Sequence, residues 1–373
     1  MTFRDAGAPL LRAVDLVGEK FDPGELDPYI AGLEVVGHLL SEEQEAQAVV
    51  RDVDTGRVFS LEVYRPDLVD LDALAPSVEA LHRMVAVVAE AEGLRGRFAD
   101  LAGHTGTEPV KEALQRLVAA FREEGWGPDG WGPAGGPDQW PYSLPTLWRI
   151  MAVIKPMALI ASPGRGLRLD LPAQVVEDAF GVDGLVRFAP ENLPAALSHE
   201  PTRRFLSEVG LPADATLFFA SEAGKPLRTV LEYRKEFLRN PSLGHLHDSV
   251  RCNPPAQAAD HLFVIGDLAY DLNVVLDGRT GEVHHAHYTC DQLTPLNADV
   301  STLAFAVWMY AMEQELRGPY DLTGDTGDFY HHLADTMVTA LATFDPVACL
   351  PSTGKDDFRY WPETFHDAAG GVL

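Results

Sequence analysis

The sequence predicts an α+β fold, with a mainly antiparallel central sheet flanked by helices. First, 46% of the 373 residues are hydrophobic and the mean hydropathy is −0.06, which supplies enough apolar material for a buried core. Second, the predicted strands precede helices in clumps, without the strict strand–helix alternation of parallel sheets. Third, a strand–turn–strand–helix pattern occurs twice. A partly repeated unit is therefore part of the predicted fold.

The repeat is clearest around two short polar turns. The segment VVRDVDTGRVF (Val49–Phe59) and the segment VVLDGRTGEVH (Val274–His284) lie 225 positions apart and agree at six of eleven positions. A DxxTG sequence between two apolar runs is typical of a hairpin turn with glycine at positive φ. We expect six residues to serve this turn geometry: Asp52, Thr55 and Gly56 in the first copy, and Asp277, Thr280 and Gly281 in the second.

The N-terminal domain is expected to span residues 1–124. Strands are predicted at residues 32–40, 46–53 and 57–64, the last with alternating apolar and polar side chains. Helices are predicted at residues 78–91 and 107–124 from their apolar spacing. Ser77 is the expected N-cap of the first helix, and Pro109 lies in the first turn of the second.

A segment rich in Gly, Pro and Trp, residues 125–145, has no helical or strand period and is predicted to be a linker. It precedes a larger domain at residues 146–350 and a C-terminal tail at residues 351–373. In the larger domain, strands are predicted at residues 185–188, 216–220, 262–265, 272–277 and 281–288, and helices at residues 172–180, 201–209, 301–316 and 328–343.

The second copy and its flanks resemble the SUKH superfamily, particularly its fourth subfamily. The resemblance is carried by HLFVIGDLAYDLNVVLDGRTGEVHHAHY (261–288), by LNADVS (296–301) with the apolar helix after it, and by GLVRFAPENLPAALSHEPTRRFLSEVGLP (184–212). It covers residues 164–343. It implies an α+β immunity protein of a bacterial polymorphic toxin system, which binds a toxin, often a nuclease, and neutralises it without catalysis. The N-terminal extension would carry a partial repeat of the same unit. The alternative is a regulatory scaffold module without a toxin partner.

The charge indicates the kind of partner. The net charge is −27, which repels nucleic acid and anionic membranes and attracts a basic protein. The partner-binding surface is expected at acidic residues near the second copy and on the following helix: Asp267, Asp271, Asp277, Glu282, Glu313 and Glu315. The alternative is that these carboxylates are solvated surface charges.

The location is expected to be the cytoplasm. Three cysteines give no disulfide framework, which suggests a reducing compartment. The sequence shows no apolar run of membrane-spanning length and no signal peptide. Composition leaves the oligomeric state open.

Neither an enzyme nor a cofactor is predicted. The DVDTG turn resembles the nucleophile loop of haloacid-dehalogenase-like phosphatases, so a hydrolase using Asp52 and Asp54 is the enzymatic alternative. Against it, Gly56 replaces the expected Thr or Val, and the second copy has Arg279 in place of the second aspartate. The histidines of HHAH (284–287) are expected to form a polar strand face, with a metal site as the alternative.

Overall fold

The computed structural model describes residues 2–5, 30, 32–40, 47–65, 68–124, 144–220, 225–255, 260–320, 322, 330–353 and 358–369. Almost all of the predicted linker, and the predicted helix start at Asp328, lie outside these residues. The chain divides into two compact units. The domain boundaries given above remain a prediction.

The first unit comprises Met1–Ala102, Lys111–Pro156 and Leu316–Thr336. Its five strands follow one another across an antiparallel sheet in chain order. They are β1 (Thr2–Asp5), β2 (Leu33–Leu40), β3 (Gln47–Asp52), β4 (Val58–Arg65) and β5 (Leu68–Ala75). The helices that come next in the chain are α1 (Val78–Glu92), α2 (Thr107–Glu123) and α3 (Thr146–Ile154).

The second unit comprises Gly103–Val110, Met157–Glu315 and Met337–Leu373. Its strands are β6 (Leu185–Val186), β7 (Leu211–Pro212), β8 (Asp214–Ala215), β9 (Phe218–Ala220), β10 (Arg228–Thr229), β11 (Leu262–Leu268), β12 (Leu272–Asp277), β13 (Val283–Ala286) and β14 (Thr294–Asn297). The main sheet has the order β14-β13-β12-β11-β9-β8, with β10 also paired to β11, and β6 pairs β7 separately. All of these pairs are antiparallel.

The remaining helices are α4 (Ala173–Phe180), α5 (Glu200–Glu208), α6 (Val230–Phe237), α7 (His247–Cys252), α8 (Val300–Tyr320), α9 (Tyr330–Ala342) and α10 (Tyr360–Ala369). The predicted α+β class is confirmed. The sequence patterns predict no helix at α3, α6, α7 or α10. They also treat the segments at β5 and β14 as loops, whereas both pair with a neighbouring strand.

The two sequence copies have matching strand registers. The β2–β3 ladder is interrupted between Val35 and Gly37, and the β11–β12 ladder is interrupted between Val264 and Gly266. Before each interruption, a valine of the first strand faces a valine of the second: Val35 faces Val50, and Val264 faces Val275. In each copy the chain then forms a hairpin turn, two further strand pairings and a long helix. The repeated unit is therefore a four-stranded meander with a helix.

A buried hydrogen-bond network fixes the start of α8 in the second unit. The Asp345 carboxylate, which is fully buried, accepts hydrogen bonds from Asn297 Nδ2 at 3.1 Å, Ala298 N at 2.8 Å and Thr302 Oγ1 at 2.6 Å. The indole N–H of Trp361 donates to Asn297 Oδ1 at 2.9 Å. A carboxylate beside a helix N-terminus is favoured both by these donors and by the helix dipole.

Candidate functional site

The first-copy turn uses its carboxylate locally. Asp52 Oδ1 accepts hydrogen bonds from the N–H groups of Asp54 at 3.0 Å and Thr55 at 2.7 Å. These bonds, with one from the Thr55 hydroxyl, hold the pKa of Asp52 below its usual range. Gly56 follows with φ of 74°. The arrangement makes Asp52 a turn-forming residue, since its oxygen satisfies backbone donors in the way an Asx turn does.

The second-copy turn repeats this pattern. Asp277 Oδ1 accepts hydrogen bonds from the N–H groups of Arg279 at 2.7 Å and Thr280 at 3.1 Å. Gly281 follows with φ of 83°, and its N–H donates to the Asp277 carbonyl at 2.8 Å. The other carboxylate oxygen of Asp277 lies 3.5 Å from His261 Nε2. The two turns therefore share geometry, while the second aspartate of the phosphatase-like loop is absent from the second copy.

The opposite end of the β11–β12 hairpin brings acidic and aromatic residues together. We define the hairpin end as Phe219, Asp267, Tyr270 and Asp271. Asp267 pairs with Phe219 across the β11–β9 ladder, which places neighbouring side chains about 5 Å apart. Phe219 is 43% exposed and Tyr270 is 39% exposed, while both aspartates are exposed. The hairpin end thus exposes both apolar and anionic side chains to solvent.

The connection at this end has unusual backbone geometry. Tyr270 has φ of 65° and Asp271 has φ of 56°, and neither residue is glycine. The Tyr270 ring contacts the edges of Phe358 and Tyr360, with ring centroids 5.6 Å and 6.3 Å apart. Its hydroxyl donates to the carboxylate of Asp367 on α10. Two adjacent left-handed residues are therefore held by packing against the C-terminal segment.

The carboxyl group of Asp267 is partly shielded from water by its neighbours. This desolvation raises its pKa, and the nearby Arg228 guanidinium opposes the shift. The residue as a whole remains exposed at the sheet surface. A cationic group that binds there would replace the missing hydration and favour the ionised carboxylate.

The remaining predicted acidic residues do not lie at the hairpin end. Asp277 and Glu282 flank the turn at the other end of β12, and six strand residues separate the two ends by about 17 Å. Glu315 is exposed on α8. Glu313 is fully buried, and the neighbouring Gln314 amide donates to its carboxylate at 2.8 Å. The six acidic residues are thus spread over separate places, and Glu313 is not on the surface.

The histidines of β13 point to opposite sides of the strand. His284 faces Val275, while His285 faces Val274 in the next register position. His285 is buried beside the Phe358 and Tyr360 rings, and this burial lowers its pKa to about 4. In the described part of the chain, no three His, Cys, Asp or Glu side chains lie close enough together to hold a metal ion.

Comparison with protein families matches residues 171–367 to the model described as SUKH-4 immunity protein. The match covers more than half of the 373 residues. The chain belongs to the SUKH-4 immunity protein family. The match extends from just before α4 into α10, so it includes the whole hairpin end and the helix that holds Tyr270. The resemblance seen in the sequence is confirmed.

Membership in the SUKH-4 family carries a general function. Its immunity proteins neutralise toxins by binding them, and the family is generally non-catalytic. No curated protein and no solved structure matches the chain. Among the described helices, none combines the length and hydrophobicity that a membrane crossing requires.

The predicted partner-binding residues include Asp267 and Asp271 but none of the aromatic residues of the hairpin end. Phe219 lies in a three-residue strand, where alternation is too short to show which side chain is exposed. The sequence does contain one indication that Tyr270 is exposed, because this residue lies in a three-residue connection between two apolar strands. A large side chain at such a tip is open to solvent unless another element covers it.

Proposed function

We propose that this SUKH-4 protein neutralises a basic, nucleic-acid-cleaving toxin of its own cell's cytoplasm, and that the hairpin end is the surface that binds it. The observation that carries the proposal is the exposure of Phe219 beside Asp267, its partner across the β11–β9 ladder, with exposed Tyr270 and Asp271 in the connection that follows β11. Binding energy in protein interfaces is concentrated in aromatic anchors surrounded by polar residues. The hairpin end contains both kinds of residue.

The backbone geometry supports the same location. Left-handed φ values at Tyr270 and Asp271 cost on the order of 1–2 kcal/mol each. Such conformations persist where surrounding packing enforces them, and they concentrate at binding and catalytic sites. Here the rings of Phe358 and Tyr360 and the carboxylate of Asp367 enforce the conformation. The tip is therefore presented in a fixed shape, which lowers the entropy lost on binding.

Charge supports the class of toxin. A protein that acts on nucleic acid carries Lys and Arg side chains toward the phosphates. The net charge of −27 accelerates the approach of such a partner, and Asp267 and Asp271 provide carboxylates for it at the contact. Neutralisation then follows from occupying the cationic surface that the toxin needs for its substrate.

The test pairs one double variant with a matched control. Asp267→Arg with Asp271→Arg reverses both charges of the hairpin end. Asp183→Arg with Glu191→Arg makes the same change in net charge at two exposed residues elsewhere in the second unit. Each tagged protein is used to capture partners from its host's lysate, and each is co-expressed with the captured protein to score growth. Circular dichroism verifies that both variants fold.

We expect the wild-type chain and the control to capture the same basic toxin and to rescue growth. The hairpin-end variant should lose at least 100-fold in affinity and fail to rescue, since two carboxylates facing cations become two repelling charges. Equal capture by all three proteins would place the binding surface elsewhere. Capture of housekeeping proteins without growth rescue would favour the regulatory scaffold instead.

A further inference from the structure

A locally basic segment lies within this acidic chain. Between positions 225 and 239 the sequence carries five Lys or Arg and two Glu, a net charge of +3, whereas the whole chain carries −27. Arg234 is buried and donates to backbone carbonyls of Val250 and Asn253, so its role is structural. The exposed cations Arg228, Lys235 and Arg239 remain at the surface.

Two of these cations, Arg228 and Arg239, line a groove beside α6. Its cavity has a volume of about 460 Å³, and it is lined by Arg228, Tyr233, Glu236, Phe237, Arg239, Asn240 and Leu243. The Arg228 guanidinium lies 5.6 Å from the centre of the Tyr233 ring. Phe237 stacks on Tyr288 with ring centroids 5.5 Å apart. The groove is therefore lined by both aromatic rings and arginine side chains.

The groove's cations are available to a ligand. Arg228 pairs with Glu236 at 2.8 Å, but both side chains are exposed, at 41% and 65%, and such surface pairs contribute about 0–1 kcal/mol. The Arg239 side chain is exposed, and its charge also acts on Glu236. An incoming carboxylate therefore competes with Glu236 for both guanidinium groups.

We propose that this groove binds a short acidic peptide segment that contains one aromatic or aliphatic side chain. The guanidinium groups would pair with carboxylates, and the apolar side chain would pack against Phe237 and Leu243. Screening limits the reach of the surrounding negative charge to about 8 Å at physiological ionic strength. A short segment therefore experiences mainly the charges of the groove itself, two arginines and one glutamate, whereas a long polyanion would extend onto acidic surface and be repelled. This inference goes beyond the toxin-binding proposal and concerns different lining residues, but the two sites are neighbours, since the Arg228 charge also acts on Asp267 of the hairpin end.

The test uses a fluorescein-labelled peptide in which one phenylalanine is flanked by two aspartates on each side. Fluorescence anisotropy measures its binding to the full chain, to Arg228→Ala with Arg239→Ala, and to Arg165→Ala with Arg279→Ala. The last variant removes two exposed arginines of the second unit that do not line the groove. A peptide with asparagine in place of aspartate and a twelve-nucleotide thymidine strand are the comparison ligands. Light scattering gives the mass of each protein in solution.

We expect the aspartate peptide to bind the wild-type chain and the control variant equally, and at least tenfold more weakly to the groove variant. The asparagine peptide should bind to each of the three proteins at least tenfold more weakly than the aspartate peptide binds to wild type. Equal binding of the two peptides, or equal binding by the groove variant, would overturn the proposal. If the thymidine strand binds wild type more tightly than the aspartate peptide does, and the groove variant loses this binding, the groove is a nucleic-acid site instead. A wild-type dimer that the groove variant converts to monomer would reassign it to self-association.

Discussion

Replacement of the buried carboxylate of Asp345 should destabilise the second unit. Besides its bonds to Asn297, Ala298 and Thr302, this carboxylate accepts a hydrogen bond from Ala348 N at 3.2 Å. In Asp345→Asn, the amide NH2 must face at least one of these four donors, and the charge that strengthens the others is lost. Hydrogen bonds to charged groups contribute about 1.5–3 kcal/mol, so we expect a loss of about 2–4 kcal/mol in the free energy of unfolding.

A second variant, Thr302→Val, gives a graded comparison of stability. Thr302→Val keeps the side-chain volume but removes one of the four donors, so we expect a smaller loss of about 1–2 kcal/mol. Urea unfolding with fluorescence detection measures both, and Trp361 reports on the network through its bond to Asn297. An Asp345→Asn variant as stable as wild type, or less affected than Thr302→Val, would show that the buried carboxylate does not stabilise the second unit.

Two further predictions concern the sheet of the second unit. Gly266→Ala should lower the free energy of unfolding by about 1–3 kcal/mol, because the new Cβ would lie 2.5 Å from the backbone oxygen of Phe219. Gly244→Ala, where a Cβ meets nothing within 4 Å, should change stability little in the same urea titration. Burial lowers the pKa of His285 to about 4 in the folded protein, compared with 6.5 for an unburied histidine. Between pH 6.5 and pH 4, His285 is therefore protonated in the unfolded chain but not in the folded one. The free energy of unfolding consequently decreases as the pH falls through this range. From pH 7 to pH 5, the free energy of unfolding of wild type should fall by about 2 kcal/mol because of His285, and His285→Phe should lack this decrease. The same pH dependence of stability in the two proteins would contradict this prediction.

Much of the second unit could be predicted from sequence because its strands are strongly apolar. β11 and β12 consist almost wholly of buried residues, and their pattern is clear without an alignment. The helix α6 was missed because its sequence, VLEYRKEF, has too few apolar residues for a clear stripe. A signal was present nonetheless, since Thr229 and Glu232 form a capping box at its start.

The candidate site was harder to predict, because exposure depends on which elements cover each residue. Asp267 and Asp271 were candidates because they lie within the family-like segment 261–288, and their part in partner binding stays a prediction. Glu313 has the residue type of a surface acid, yet it lies four positions after buried Met309 on the same helical stripe. Asp345 gave a local signal only for its bond to Ala348 N, as the residue before Pro346 at the start of a short 3-10 helix; its other three partners lie 43 to 48 positions away in the sequence.

The proposed function depends on toxin binding at the hairpin end. Hydrogen exchange can be measured by mass spectrometry on the chain alone and on the chain saturated with the captured toxin. We expect slowed exchange across residues 266–273 and 218–220, with little change at the Asp277 turn. Protection confined to that turn, or to the first unit, with unchanged exchange at the hairpin end, would contradict it.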